Sequence, residues 1–337
     1  MGIIIYPEKL KKGDTIATTA VSMPANKEKI DIALNNLREL GLNVIETQNV
    51  RGEGIVSSSG KQRAEELLEL YKDTDVKYII ASRGGEFLME MLPYLHSQKD
   101  IIRNNPKWFQ GFSDPSLLNI YITTNFNIAT INMENISEYA MCPRYKNIDD
   151  VIEFMFSQNK EYEQNSFDKY QKEEFEEGNL KGYNLTEENI YECSKNDISF
   201  EGRIIGGCID TFNLIAGTDM DNISNFVSQF EEEGVIWYLD NCELSPCEFY
   251  RRLWYMDQMG YFKNIRGFLI GRSFMQKNND DSFSFKSAVE RALEKFNVPI
   301  VYNVDVGHIP PQMYFVNGSY GIFKYKDGKA KLIQKLI

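Results

Sequence analysis

A serine, a histidine and a carboxylate, each lying just beyond an apolar run, are the residues of this chain best suited to chemistry. Ser113 sits in Gly111-Phe112-Ser113-Asp114-Pro115, between a strand-like run over 107–110 and an apolar, helix-compatible run over 116–126. Pro115 suits the first helical position, where a missing N–H costs nothing. The unpaired N–H groups of that first turn point back toward the serine oxygen, at the positive end of the helix dipole. Such a turn suits a nucleophile whose reaction develops an oxyanion. It suits a simple helix cap equally well, because Ser and Asp are preferred capping residues.

A hydroxyl nucleophile needs a base, and the base needs an orienting acid. The sequence offers two histidines. His96 falls at the end of a predicted helix, where an exposed cation near the C-terminus is explanation enough. His308 follows a predicted buried strand, with Gly307 permitting a tight turn before it and Pro310 and Pro311 stiffening the backbone after it. A loop histidine held beyond a strand end is either a general base or a structural residue. Asp240 is the first charged residue after the apolar run Val235-Ile236-Trp237-Tyr238-Leu239, and reads as the orienting acid or as a turn carboxylate. Glu243, three residues on, could supply the acid instead. Gly84-Gly85 follows a strand and precedes a helix, so backbone N–H groups there can approach a ligand closely. It lacks the full dinucleotide-binding spacing.

The elements that must hold these residues alternate. Strands are predicted at 15–21, 42–45, 77–81 and 107–110, with helices over 26–40, 61–71 and from Glu86 to about Leu95. Alternation at this spacing means a parallel, doubly wound sheet, whose ligands collect beyond the carboxyl ends of the strands. Order resumes with strands at 202–208, 235–239, 267–270 and 299–302, and helices over 246–259 and 287–296. A tail of short strands follows, punctuated by Asn317-Gly318 and Asp327-Gly328 turns. The reading is α/β: an N-terminal doubly wound parallel-sheet domain (1–157) carrying the nucleophile, and a C-terminal α/β domain rich in β-structure (201–337) carrying the triad acid and His308. Between them, 158–200 is acidic with interleaved aromatics, and reads as a solvated linker or a lid.

At 337 residues the chain can build two cores, and a net charge of -12 argues against a nucleic-acid or anionic-membrane partner. No secretory signal or bilayer-length apolar run is evident. The five cysteines, Cys142, Cys193, Cys208, Cys242 and Cys247, are odd in number and scattered, as in a reduced, cytoplasmic protein. Cys242 and Cys247, the one close pair, have the wrong spacing for a zinc knuckle, so no structural metal is expected.

Taken in order, several short stretches resemble one family. They are Lys12-Gly13-Asp14, Arg83-Gly84-Gly85, and Asn105-Pro106-Lys107 leading into Gly111-Phe112-Ser113-Asp114. Then come Gly206-Gly207, Ala216-Gly217-Thr218, the strand ending at Asp240, Gly267-Phe268-Leu269-Ile270-Gly271-Arg272, and Gly307-His308. Together they resemble the LD-carboxypeptidase group of serine peptidases, which includes muramoyltetrapeptide carboxypeptidases and microcin C immunity peptidases. The resemblance covers nearly the whole chain. It implies a Ser-Glu-His triad with Ser113 as nucleophile and His308 as base. It implies an oxyanion held by the N–H groups of Asp114 and of a glycine in the 83–85 loop, taken as Gly85. It also implies a homodimer and no metal. Asp240 stands where the family has Glu, and Thr130-Ile131-Asn132-Met133-Glu134 stands where relatives tend to carry a Gly-Pro turn.

The resulting expectation is a cytoplasmic serine carboxypeptidase without cofactor, acting on a small peptide or a peptidyl nucleotide. Arg83 and Arg272 are expected to clamp a substrate carboxylate, with Gly84 and Glu243 as further substrate contacts. The aromatic insertion leans toward the peptidyl nucleotide, because a ring there could stack on a base. The alternatives are a member that binds a peptide-like ligand without efficient cleavage, and a nucleotide-binding regulator using the Gly84-Gly85 loop.

Overall fold

The computed structural model describes residues 2–172, 180–276 and 282–337. Its first part runs β1 (Thr15–Thr19), α1 (Ile30–Glu39), β2 (Asn43–Glu46), α2 (Gly60–Lys72), β3 (Val76–Ala81), α3 (Leu92–Ser97) and α4 (Lys99–Asn104). Next come β4 (Trp108–Gln110), α5 (Ser116–Phe126), β5 (Thr130–Asn132) and α6 (Lys146–Phe156). The predicted helix from Glu86 to about Leu95 is thus replaced by a 3-10 turn over Leu88–Met91 and two short helices, with Pro93 near the start of α3.

The second part begins with β6 (Glu161–Asn165), β7 (Lys169–Tyr170) and β8 (Glu187–Glu188), then β9 (Asp197–Cys208), α7 (Ile209–Phe212) and α8 (Ile223–Gln229). It continues through β10 (Val235–Asp240), α9 (Pro246–Gln258), β11 (Ile265–Gly271), α10 (Phe285–Leu293) and β12 (Ile300–Val304). The chain finishes with β13 (Phe315–Asn317), β14 (Tyr320–Lys326) and β15 (Lys329–Lys335).

Two sheets result. The first has the order β13-β5-β4-β3-β1-β2, parallel from β5 to β2. The chain leaves β1 toward β2 on one side and returns to β3 on the other, so the strand order reverses between β1 and β3. A crevice at the carboxyl ends of the strands follows from that reversal. The second sheet has the order β12-β11-β10-β9-β14-β15-β6; β12 to β9 are parallel and the rest antiparallel. β13 leaves the second half of the chain to pair antiparallel with β5, Phe315 opposite Asn132.

Helix α5 explains how the two sheets meet. Ten of its eleven residues are buried, so it has no solvent face to speak of. A helix apolar all round belongs inside a protein, and this one lies against β5 and β13 of the first sheet and β9 of the second. One continuous apolar core accordingly joins Ile16, Leu117 and Trp237. Each large side chain fully buried there contributes roughly 1.5–3 kcal/mol.

Described residues of the 158–200 stretch pack into the second sheet and its core, unlike the solvated connector or lid its acidity suggests. β6 forms the edge of the second sheet, with alternating burial in which Tyr162 and Gln164 point inward. Phe167 and Tyr191 belong to a second core with Phe323 and Val304. The acids Glu173, Glu174, Glu176 and Glu177, with Phe175, lie outside the described residues.

Candidate active site

The nucleophile turn is fixed by local sequence and by one buried carboxylate. After β4, Ser113 takes a left-handed backbone conformation with φ 66°. That region is uncommon for a residue with a Cβ and marks strain worth a functional explanation. Ser113 does not cap α5; the helix starts after Pro115 without any side-chain cap. Its backbone carbonyl instead accepts the Ser116 N–H at 2.9 Å. The Asp114 carboxylate turns away from the helix and accepts the Ser22 hydroxyl at 2.5 Å and the Leu88 N–H at 2.9 Å. Burial raises the Asp114 pKa. The turn is thereby pinned to Ser22, just beyond β1, and to the start of the 3-10 turn at Leu88. Gly84 leaves room beside it, since a Cβ there would stand 3.0 Å from Ser113 Oγ and crowd the nucleophile.

His308 arrives from the other sheet. Its Nε2 lies 2.9 Å from Ser113 Oγ, and its Nδ1 lies 2.7 Å from Asp240 Oδ2. The Nδ1 contact is short but bent out of hydrogen-bond alignment, and Asp240 Oδ1 has no partner among the described residues. Asp240 ends β10 and is 2% exposed; the His308 ring is 18% exposed and packs 5.1 Å from the Phe112 ring. Gly307 makes the approach possible: its φ is 106°, and a Cβ would run into the Asp240 carboxylate. Burial pulls the His308 pKa down, yet Asp240 and the Cys242 thiol outweigh it and hold the imidazole well above its usual range.

Behind the histidine lies a network that sequence reasoning did not anticipate. Asp305 is wholly buried and accepts the Phe167 N–H at 2.8 Å, Asn189 Nδ2 at 2.8 Å and the Tyr191 hydroxyl at 2.7 Å. Arg272 closes the set at 2.5 Å. The other arm of its guanidinium donates to the carbonyls of Ile309 (2.8 Å) and Pro311 (2.9 Å), the residues flanking the His308 turn. This corrects the expectation for Arg272: it is 4% exposed and grips the protein's own backbone, so it is not placed to clamp a substrate carboxylate.

Ser113 and His308 open on a cavity of about 490 Å³ where the carboxyl ends of both parallel sheets meet. Gly85 and Asp114, the expected oxyanion donors, border it. Met23, Ile55, Phe87 and Leu214 supply apolar wall, and Glu86, Asp210 and Glu243 supply carboxylates. No lysine or arginine is among the lining residues; Arg83, half-buried in the glycine loop, lies outside the lining. Glu243 is exposed at the rim, its N–H bound by Asp210 at 2.9 Å. It is therefore Asp240 that faces the histidine. His96 is remote from the site: half-buried against the Tyr121 hydroxyl at 3.2 Å, with its pKa lowered by burial, it favours the neutral ring over the expected exposed cation.

Sequence reasoning missed Ser22, Cys208, Asp210 and Cys242 as members of this site. Cys208 ends β9 in register with Asp240, and Asp210 follows it in α7, so the rule that ligands gather at strand ends points to them. None of the described residues of the aromatic insertion lines the cavity, and its Tyr183 hydroxyl instead joins Asn147 and Glu134.

Residues 16–133 match the LD-carboxypeptidase N-terminal domain and residues 201–321 match the LD-carboxypeptidase C-terminal domain. YocD of Bacillus subtilis is 28% identical over 328 residues, covering 94% of each chain. The "Probable murein peptide carboxypeptidase" of the same organism is 23% identical, covering 91% of this chain and 88% of that protein. Among solved structures, an MccF-like protein from Bacillus anthracis superposes with a TM-score of 0.82 at 26% identity, covering 98% of this chain and 99% of that one. The muramoyltetrapeptide carboxypeptidase of Oxalobacter formigenes shares the fold, with a TM-score of 0.74 at 19% identity over 95% of this chain and 98% of that one.

Proposed function

The chain belongs to the LD-carboxypeptidase family, and from that premise we propose that it is a serine carboxypeptidase using Ser113, His308 and Asp240. The observation that carries the reading is the continuous contact from Ser113 Oγ through the His308 ring to Asp240, at 2.9 and 2.7 Å, inside a cavity of substrate size. Ser113 Oγ attacks the amide carbonyl carbon while His308 Nε2 takes its proton. Asp240 faces the opposite ring nitrogen and supports the imidazolium that forms. The N–H groups of Asp114 and Gly85 receive the oxyanion. The C–N bond then breaks, and the departing amine takes the proton from Nε2. Water, deprotonated by the same ring, releases the acyl group from Ser113.

The substrate favoured by this cavity is a murein-type peptide. Glu86, Asp210 and Glu243 face it with no lysine or arginine in the lining, so a substrate with an ammonium group near the scissile bond is favoured over one with a further carboxylate besides the terminal one. One structural neighbour, microcin C7 self-immunity protein MccF, has been solved with aspartyl sulfamoyl adenosine. An acidic aminoacyl group of that kind meets no lysine or arginine in the lining here. No described residue of the aromatic insertion, which favoured a nucleotide from sequence alone, lines the cavity, and that support is withdrawn.

A second reading, a member that binds its ligand without efficient cleavage, draws on the bent Asp240 contact where the family has the longer Glu. One experiment separates the two. A serine-directed fluorophosphonate is applied to the protein and to His308→Ala, alongside hydrolysis assays on murein tetrapeptide and on a peptidyl sulfamoyl adenosine. Labelling of Ser113 that the variant abolishes, with release of the terminal residue from the tetrapeptide, is expected. Ligand binding without labelling or turnover on either substrate would overturn the enzyme reading.

A further inference from the structure

The proposed catalytic scheme leaves two thiols in the cavity without work. β9 ends on Cys208 directly opposite Asp240 on β10. The Cys208 sulfur, an Asp240 oxygen and a His308 ring nitrogen all lie within 4.8 Å of one another. Cys242, two residues beyond Asp240, turns its thiol to the His308 ring and lines the same cavity as Cys208. Asp240 Oδ1 is buried and has no hydrogen-bond partner among the described residues. The sequence argument excluded a knuckle built from Cys242 and Cys247. The fold instead brings Cys242 to Cys208, 34 positions earlier in the chain.

Two sulfurs, an imidazole nitrogen and a carboxylate oxygen make the donor set of a thiophilic divalent cation. We propose that Cys208, Asp240 and His308, with Cys242 drawn in from beside the His308 ring as the fourth ligand, form an inhibitory binding site for such a cation, with Zn2+ as the representative ion. The geometry makes it inhibitory, not resident. Donors at about 2.0–2.3 Å from a tetrahedral zinc lie about 3.3–3.8 Å apart, whereas His308 Nδ1 and Asp240 Oδ2 stand at 2.7 Å, a proton's separation. Seating the ion therefore pushes the imidazole off Asp240, and a ring bound to the metal through Nδ1 keeps its proton on Nε2 and cannot take one from Ser113. On binding, each thiol releases its proton to solvent, and the ring nitrogen that faces the metal gives up its N–H. An occupied site and an assembled Ser113–His308–Asp240 array exclude each other. Inhibition rests on the peptidase reading above; binding itself does not.

The test is titration of the chelator-treated protein with Co2+, followed by thiolate-to-cobalt charge-transfer absorption, with Zn2+ displacing the cobalt. Saturable absorption is expected and persists in Ser113→Ala, because Ser113 is not a ligand. Cys208→Ser and Cys242→Ser should each weaken binding by at least about tenfold, a loss that even an outer-shell change at a metal site can produce. Cys242 is half-buried, so its variant is the less disruptive one, and circular dichroism verifies that both fold. Zn2+ should also slow fluorophosphonate labelling of Ser113, at concentrations at least tenfold lower for the unaltered protein than for either variant. No thiolate absorption, or affinity unchanged in both cysteine variants, overturns the site. Cobalt bound through these thiols in a protein that neither labels nor hydrolyses would refute the peptidase reading and leave the site standing.

Discussion

The two sides of the cavity are built in different ways. On the Ser113 side, five residues of chain carry a three-residue strand into a buried helix, and the turn between them is written in consecutive letters. Its one distant support, the Asp114 carboxylate, reaches Ser22 just beyond β1 and Leu88 in the 3-10 turn. On the His308 side the loop has little local order. Its position comes from Arg272, Asn189, Tyr191 and Phe167, which converge on Asp305 from three separate parts of the chain. One side is thus a local motif and the other a long-range assembly. The nucleophile's half should tolerate change at a distance, and the base's half should not.

Four substitutions test that contrast, from the largest effect to the smallest. Ser113→Ala removes the attacking oxygen, and kcat on murein tetrapeptide should fall by about 10⁴–10⁶-fold with the fold intact by thermal melting. Asp240→Asn should lower kcat by about 10²–10⁴-fold, because the ring loses both its orientation and the charge that stabilises imidazolium. That variant also carries a pH signature. His308 must be neutral to accept a proton, and its pKa is raised, so activity should climb with pH on a limb lying above the ordinary imidazole range. Removing the Asp240 charge should move that limb to lower pH even as the maximum falls. The same raised pKa stabilises the fold fully below the unfolded imidazole pKa, and that contribution is lost as pH rises through the folded value.

Arg272→Lys keeps the charge but loses the fork that holds Asp305 and two carbonyls at once. A fall in kcat of about 10–100-fold with KM nearly unchanged is expected, since a small misplacement of a catalytic group costs on that scale. An equal loss in KM would instead place Arg272 against substrate and erase the contrast. The smallest effect belongs to Tyr191→Phe, which deletes the hydroxyl shared by the Asp305 carboxylate and its N–H. About 1.5–3 kcal/mol of stability should be lost, read from denaturant unfolding. Insensitivity of both kcat and stability to this change would show that the His308 loop does not depend on the insertion.

How much of this was legible in the sequence follows the same division. The strand-turn-helix at Ser113, the α/β alternation and the strand-end position of Asp240 depend on neighbours within a few residues, and each was read correctly from pattern. His308 was findable because the chain has so few histidines. The role of Arg272 was not legible: a lone arginine after an apolar strand looks like a substrate clamp, and only the approach of Asp305 and two carbonyls shows where its charge is neutralised. The insertion misled for a related reason. Its acids mark exposed positions of β6, whereas the buried Tyr162 and Gln164 alternate with them at period two. Cys208 and Cys242 could not be paired by spacing at all, because adjacent strands bring them together.

The placement of β13 carries a consequence for how the protein comes into being. The His308 loop leaves the second sheet at Val304 and enters the first at Phe315, opposite Asn132. Pairings between segments so distant in sequence form late, since closing so long a stretch of chain precedes any reward from the contact. A growing polypeptide can therefore complete the Ser113 turn early and yet hold it without its base until synthesis has passed residue 317. Hydrolytic competence would then appear abruptly, as the two sheets are stitched together, and no shorter nascent fragment would possess it.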